Sequence, residues 1–290
     1  MSTGQTTGKT ILIERVKILT LLAAFYCTVA VSSAENILFI GNSFTFGAGD
    51  PAVVKFGGPP KLVEAIATAK GKTTVTQMVA AGGKNWAYHL AQPVTDAGLK
   101  AKKWDWVVLQ DFSSEPTHIG NVAEFMKDGQ AFSDRIAQES SGAGIVLFST
   151  WALGPKNTIY AVKPTAQQFA TPDQMEGELE KNYQALADTL RKANPKRPVR
   201  VADVGRAFAL CEQKYPALNL FSKGDHHANR YGSYLAALVL YATIFQDSPQ
   251  GATSLFPSLP LDHTSVAELQ DIATQVGQGK VNDQPPAIKP

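Results

Sequence analysis

Five short apolar runs recur along this chain, each followed by a longer stretch of helical character, and this alternation narrows the fold more than any other feature. The runs are residues 36–40 (NILFI), 74–79, 106–109 (WVVL), 144–148 (GIVLF) and 199–204. Apolar on both alternating faces, they read as strands buried on both sides, the signature of parallel sheets. Between them, residues 61–69 follow Pro59-Pro60, and 122–138 and 174–193 place apolar residues three and four apart. Residues 232–245 (GSYLAALVLYATIF) are apolar almost all round, the pattern of a buried helix. Parallel strands need crossovers, and here the crossovers are helical. The expected architecture is one three-layer α/β/α domain on a five-stranded, mostly parallel sheet. The segment 154–172 is broken by prolines and lacks a period, so it reads as an excursion after the fourth strand, near the ligand edge of the sheet.

The N-terminal 34 residues stand apart. Lys9, Arg15 and Lys17 precede a 14-residue apolar run at 18–31, and Ser32-Ser33-Ala34 supplies small residues where a signal peptidase reads. The run is shorter than the roughly 20 residues that span a bilayer. Residues 1–34 are therefore expected to be a secretory signal, with an uncleaved anchor as the alternative, and the protein is expected to be exported, periplasmic or secreted, with no stable membrane span after cleavage. Residues 35–276 form the domain, and 277–290 a polar, Pro-rich tail. The signal carries three basic and one acidic side chain, so the 27 basic and 25 acidic residues of the whole chain become balanced without it. Nucleic acid, which calls for a basic face, is excluded as a partner on this ground. Of two cysteines, Cys27 lies in the signal, and Cys211 alone makes no internal disulfide.

Ligands of open α/β sheets bind beyond the carboxyl ends of the strands. The first strand runs into Gly41-Asn42-Ser43, placing a hydroxyl on a tight turn. Ser43 suits a nucleophile, or equally an ordinary helix N-cap. Asp225, His226 and His227 precede the buried helix near the other end of the domain.

Together these blocks resemble the SGNH (GDSL-type) hydrolase superfamily. Residues 37–43 (ILFIGNS) are similar to its first block, with Asn for the commoner Asp, and 227–237 (HANRYGSYLAA) to its last. Gly82-Gly83 with the following KNWAYHL resembles the oxyanion-glycine block, and WDWVVLQD at 104–111 ends where the superfamily usually has GxND. The likeness is nearest to a subgroup with GNSFT, VVLQ and a His followed by GSYLAA, described through a domain of unknown function. It implies a flavodoxin-like sheet and a serine esterase without metal or organic cofactor, acting on a small-molecule or glycan acyl ester. Ser43 would be the nucleophile, His227 the base and Asp225 its orienting carboxylate, with the oxyanion held by Ser43, Gly83 and the Gln110 amide. His226 is the alternative base, and Asn42 and Asn85 are alternative amide donors. Two departures stand out. Asp225 lies two residues before His227 where DxxH is usual, and no Asn follows the third strand.

Trp86, Phe112 and Trp151 sit at strand exits, where they either floor a sugar or acyl pocket or pack into the core; the first reading, with export, favours carbohydrate acetyl esters. His89 and His118 read as structural hydrogen-bond partners, and His263 as a helix entry. The opposing reading is a non-catalytic glycan-binding or structural protein on a degenerate form of the fold.

Overall fold

Ile37, Leu38, Phe39 and Ile40 are completely buried, as befits a strand covered on both faces. In the computed structural model, which describes Met1 and residues 34–224, 226–252 and 260–277, they form the core of β1 (Glu35–Gly41), the centre of a five-stranded sheet. All elements belong to the second of the chain's two units, Ser32–Pro290. The signal at 2–33, Asp225 and the tail beyond Gly277 lie outside the described residues.

The elements follow in the order β1, α1 (Ser43–Phe46), α2 (Pro51–Phe56), α3 (Gly58–Ala69), β2 (Thr74–Ala80), α4 (Trp86–Leu90), α5 (Pro93–Lys100), β3 (Trp106–Leu109), α6 (Val122–Glu139), β4 (Gly144–Ser149), α7 (Pro172–Ala193), β5 (Val199–Asp203), α8 (Val204–Lys214), α9 (Arg230–Phe245) and α10 (His263–Gly277). The strand order is β2-β1-β3-β4-β5, and every pairing is parallel. This is a doubly wound order whose direction reverses between β1 and β3, the point where such sheets open a crevice. Helices α3, α8, α9 and α10 pack together on one side; α4, α5, α6 and α7 pack on the other. The expected three-layer architecture is thus the observed one, and α9 is buried from Gly232 to Ile244.

Local differences have local causes. The fifth strand stops at Asp203 rather than Val204, because the Asp203 carboxylate accepts the Arg206 N–H and starts α8. Helix α3 begins at Gly58, so Pro59 and Pro60 fall in its first turn, where a missing N–H costs no intrahelical bond. The excursion after β4 is pinned by a bridge between Tyr160 and Phe169, the latter fully buried. His263 opens α10. No helix among the described residues is long and apolar enough to cross a membrane.

Candidate active site

Immediately after β1 the chain turns sharply, and three side chains determine how. Asn42 caps α1, its Oδ1 accepting the Phe44 N–H (3.2 Å). The cap is therefore Asn42, and Ser43 is left as the first helical residue, whose N–H has no intrahelical acceptor. The Asn42 amide nitrogen donates to Lys84 O (2.9 Å) and Asp111 O (3.4 Å), joining the turns that leave β2 and β3 to the one carrying Ser43. Replacing Asn42 by Ala removes a cap worth about 0.5–2 kcal/mol and the amide donor to the Lys84 carbonyl, while the Asp111 carbonyl keeps its Gln110 donor. The Asn42→Ala protein is expected to melt several degrees lower in a thermal unfolding scan.

Gln110 is completely buried beneath this turn. Its Oε1 accepts from Asn42 N (2.9 Å) and Thr45 Oγ1 (2.7 Å), and its amide nitrogen donates to the Asp111 carbonyl. In place of the oxyanion donor expected from the sequence, Gln110 is a completely buried buttress that holds the Ser43 turn from below, with an amide N–H spent on the Asp111 carbonyl. Asn42, the alternative donor, is committed in the same way. Gly41 has to be glycine, because a Cβ would lie 2.2 Å from Thr45 Oγ1 and 2.6 Å from Gln110 Oε1. His89 is buried and donates from Nε2 to Gly41 O (2.8 Å), the structural role expected of it.

Opposite Ser43, residues 219–222 and 227–229 run antiparallel to each other. Phe221 and Ala228 form an antiparallel bridge, and Ser222 donates both its N–H (2.8 Å) and its hydroxyl (3.0 Å) to His227 O. The loop ends on Asn229, which accepts the Tyr231 and Gly232 N–H groups as the cap of α9. This hairpin brings His227 Nε2 to 2.9 Å from Ser43 Oγ, although the two residues are 184 positions apart. His226 does not meet Ser43. Its ring lies against that of His227, with centroids 4.6 Å apart and planes within 17°. Burial lowers the pKa of both imidazoles, and at His227 the neighbouring His226 adds to the effect. A neutral His227 has an Nε2 lone pair free to accept the Ser43 proton.

Gly83 lies in the turn after β2, with φ +68° and no atom where a Cβ would project. Asn85 caps α4 through Oδ1, accepting Tyr88 N–H (3.2 Å), and its amide nitrogen has no acceptor among the described residues. Asp111 takes the Trp86 and Phe112 N–H groups on one oxygen (2.7 and 2.8 Å), and burial pushes its pKa up to about 8.

Two expected pocket aromatics are elsewhere. Trp86 is fully buried and stacks on Phe125 in the core, because the Asp111 carboxylate anchors its backbone inward. Trp151 is 1% exposed, stacked on Phe208 at 4.4 Å, and donates to His226 O (3.2 Å), supporting the histidine loop from behind. Phe112 alone of the three lines an open cleft, which runs up to His226. His118 lies away from the serine, between Glu178 (2.9 Å) and Gln168 O (3.2 Å).

Three contributors had no local signal in the sequence. Phe44, one residue past the serine, packs within 5.5 Å of both imidazoles and 4.6 Å of Trp151. Asp50 caps α2 and pairs with Arg230 (2.9 Å), fastening the start of α9. Gly49 passes so close to the histidine loop that a Cβ would lie 2.1 Å from Ala228 O and 2.9 Å from His227 Cβ.

No family model matches the chain, and no curated protein is similar to it in sequence. Solved structures are similar in fold. A DUF4886 family protein from Bacteroides uniformis superposes with a TM-score of 0.64 at 14% identity, over 84% of this chain and 94% of that one. The lipase/acylhydrolase from Enterococcus faecalis gives 0.53 at 16% identity, over 74% and 98%. The family 3 carbohydrate esterase of Clostridium thermocellum gives 0.51 at 13%, over 72% and 94%. By its sheet order and by these superpositions, the chain has the α/β/α fold of the SGNH and GDSL-type hydrolases.

Proposed function

We propose that this protein is an exported serine esterase in which Ser43 and His227 carry out acyl transfer. The observation that carries the reading is the 2.9 Å contact between Ser43 Oγ and His227 Nε2 at the carboxyl end of β1. A serine hydroxyl is too weak a nucleophile without an adjacent base, and this pair supplies one.

His227 Nε2 takes the proton as Ser43 Oγ bonds to the ester carbonyl carbon. The Ser43 and Gly83 N–H groups hold the resulting oxyanion, with the Asn85 amide as third donor in place of Gln110. His227 then returns the proton to the alcohol oxygen as the carbonyl–oxygen bond breaks, leaving an acyl-serine. Water, deprotonated by the same imidazole, releases the acid. The Nε2 role requires the other ring proton on Nδ1, and Asp225, two residues earlier, is assigned to accept it. The export assignment rests on residues 1–34.

A fluorophosphonate reagent should label Ser43, identified by mass spectrometry of the modified peptide. Labelling should be fast only when His227 is neutral. The protein's environment disfavours the cation, so the rate should fall as pH drops through a midpoint below the ordinary imidazole value of about 6.5. Absence of label on Ser43 at pH 8 would overturn the assignment.

A further inference from the structure

A cleft of about 470 Å³ starts at His226 and runs between the segments that leave β3 and β4, within the about 300–1,000 Å³ typical of small-ligand sites. Its walls are Phe112 to Ser114 on one side and parts of the excursion on the other, including Leu153, Ile159 and Gln167. Among the described residues that line it, His226 alone titrates near neutral pH. Ser113, Ser114 and Thr158 present hydroxyls, and Gln167 an amide, that make no side-chain hydrogen bond to the described residues. These polar groups alternate with the apolar surfaces of Phe112, Leu153, Ile159 and Met175.

The position of the cleft decides which half of an ester it takes. On the serine-esterase reading, on which this inference rests, His227 protonates the departing oxygen, so the alcohol leaves on the imidazole side, away from the Gly83 turn. His226 lies flat against His227 and forms the near end of the cleft. The lining then decides the chemistry. An acyl chain calls for an apolar tunnel and a charged head group for a cation; this surface has neither. Uncommitted hydroxyl and amide groups beside small apolar faces suit a ring whose edge carries hydroxyls and whose faces are C–H.

We infer that the cleft beside His226 is a leaving-group subsite for a neutral polyhydroxylated alcohol, the sugar of an O-acylated saccharide, with Gln167 and Thr158 as specificity-determining residues.

The test compares kcat/KM on mono-O-acetylated cellobiose, xylobiose and mannobiose with kcat/KM on 4-nitrophenyl acetate and 4-nitrophenyl octanoate. At least one saccharide should be preferred to the octanoate. The ratio of saccharide to 4-nitrophenyl acetate turnover should fall about tenfold in Gln167→Ala and in Thr158→Val, the loss expected for one hydrogen bond of about 1 kcal/mol or slightly more. Both side chains lie in the exposed or half-buried excursion, and thermal unfolding of each variant checks the fold. An unchanged ratio in both variants, or preference for the octanoate, overturns the subsite.

A separate arm does not depend on turnover. Ligand-observed NMR on the Ser43→Ala protein should detect the three unacetylated disaccharides, with binding weakened in Gln167→Ala. If none binds, the subsite is overturned; if one binds while 4-nitrophenyl acetate is not turned over by wild type, the esterase reading fails and the saccharide subsite stands.

Discussion

Ser43→Ala and His227→Ala are each expected to lower kcat on 4-nitrophenyl acetate by about 10⁴-fold or more, and the double variant should be no worse than either alone. Nucleophile and base act as one unit, so removing the second after the first loses nothing further. His226→Ala should keep activity within about tenfold. Its ring faces the cleft and stacks on His227 but does not reach Ser43. The two histidines are adjacent in sequence and similar in burial, so this pair of variants separates geometry from composition. Loss of activity in His226→Ala with retention in His227→Ala would reverse the base assignment, and full activity in Ser43→Ala would remove the serine mechanism. A non-catalytic protein on this fold predicts a rate that none of the three changes alters.

The second large effect is expected far from any reacting atom. Gly49→Ala should lower kcat/KM by about 10²-fold, the order expected when a catalytic group is displaced by about 1 Å. A Cβ at this position meets the Ala228 carbonyl at 2.1 Å and His227 Cβ at 2.9 Å, and the first of these is backbone that cannot swing aside. The histidine loop must therefore move, and with it the 2.9 Å contact to Ser43. Folding should survive in part, since α9 and the sheet do not depend on Gly49. Gly177→Ala is the matched control: in the exposed middle of α7 its Cβ meets nothing, and it should gain up to about 1 kcal/mol of stability with unaltered kinetics. Kinetics and thermal unfolding measured on both variants check the pair; wild-type kcat/KM in Gly49→Ala would sink the prediction.

Much of the fold is legible in the chain because burial on both faces leaves a periodic mark. Residues 37–40, 106–109 and 144–148 present apolar side chains or glycine on both faces, and α9 is buried from Gly232 to Ile244. The short helices α1, α2, α4 and α5 leave no such mark. Each is four to eight residues long, too short for a period to emerge, and forms because Asn42, Asp50, Asn85 or a proline starts it. The candidate site divides in the same way. Ser43 follows a strand whose end is visible in the sequence, and His227 precedes a helix whose start is visible. Gln110 is misleading for a physical reason: an amide at a strand end serves equally as a donor to substrate or as a buttress below a turn, and only its neighbours, Asn42 N and Thr45 Oγ1, distinguish the two. Trp86 and Trp151 fail likewise, since an aromatic side chain after a strand can turn either into the core or into the mouth.

The alternation of buried runs with helical spacing was enough by itself to determine a parallel five-stranded sheet, because local periodicity reports burial directly. Which histidine meets the serine, which amide is spent beneath the turn, and which wall faces the cleft depend on contacts between segments up to 184 residues apart. No local pattern encodes such contacts, and packing alone decided them.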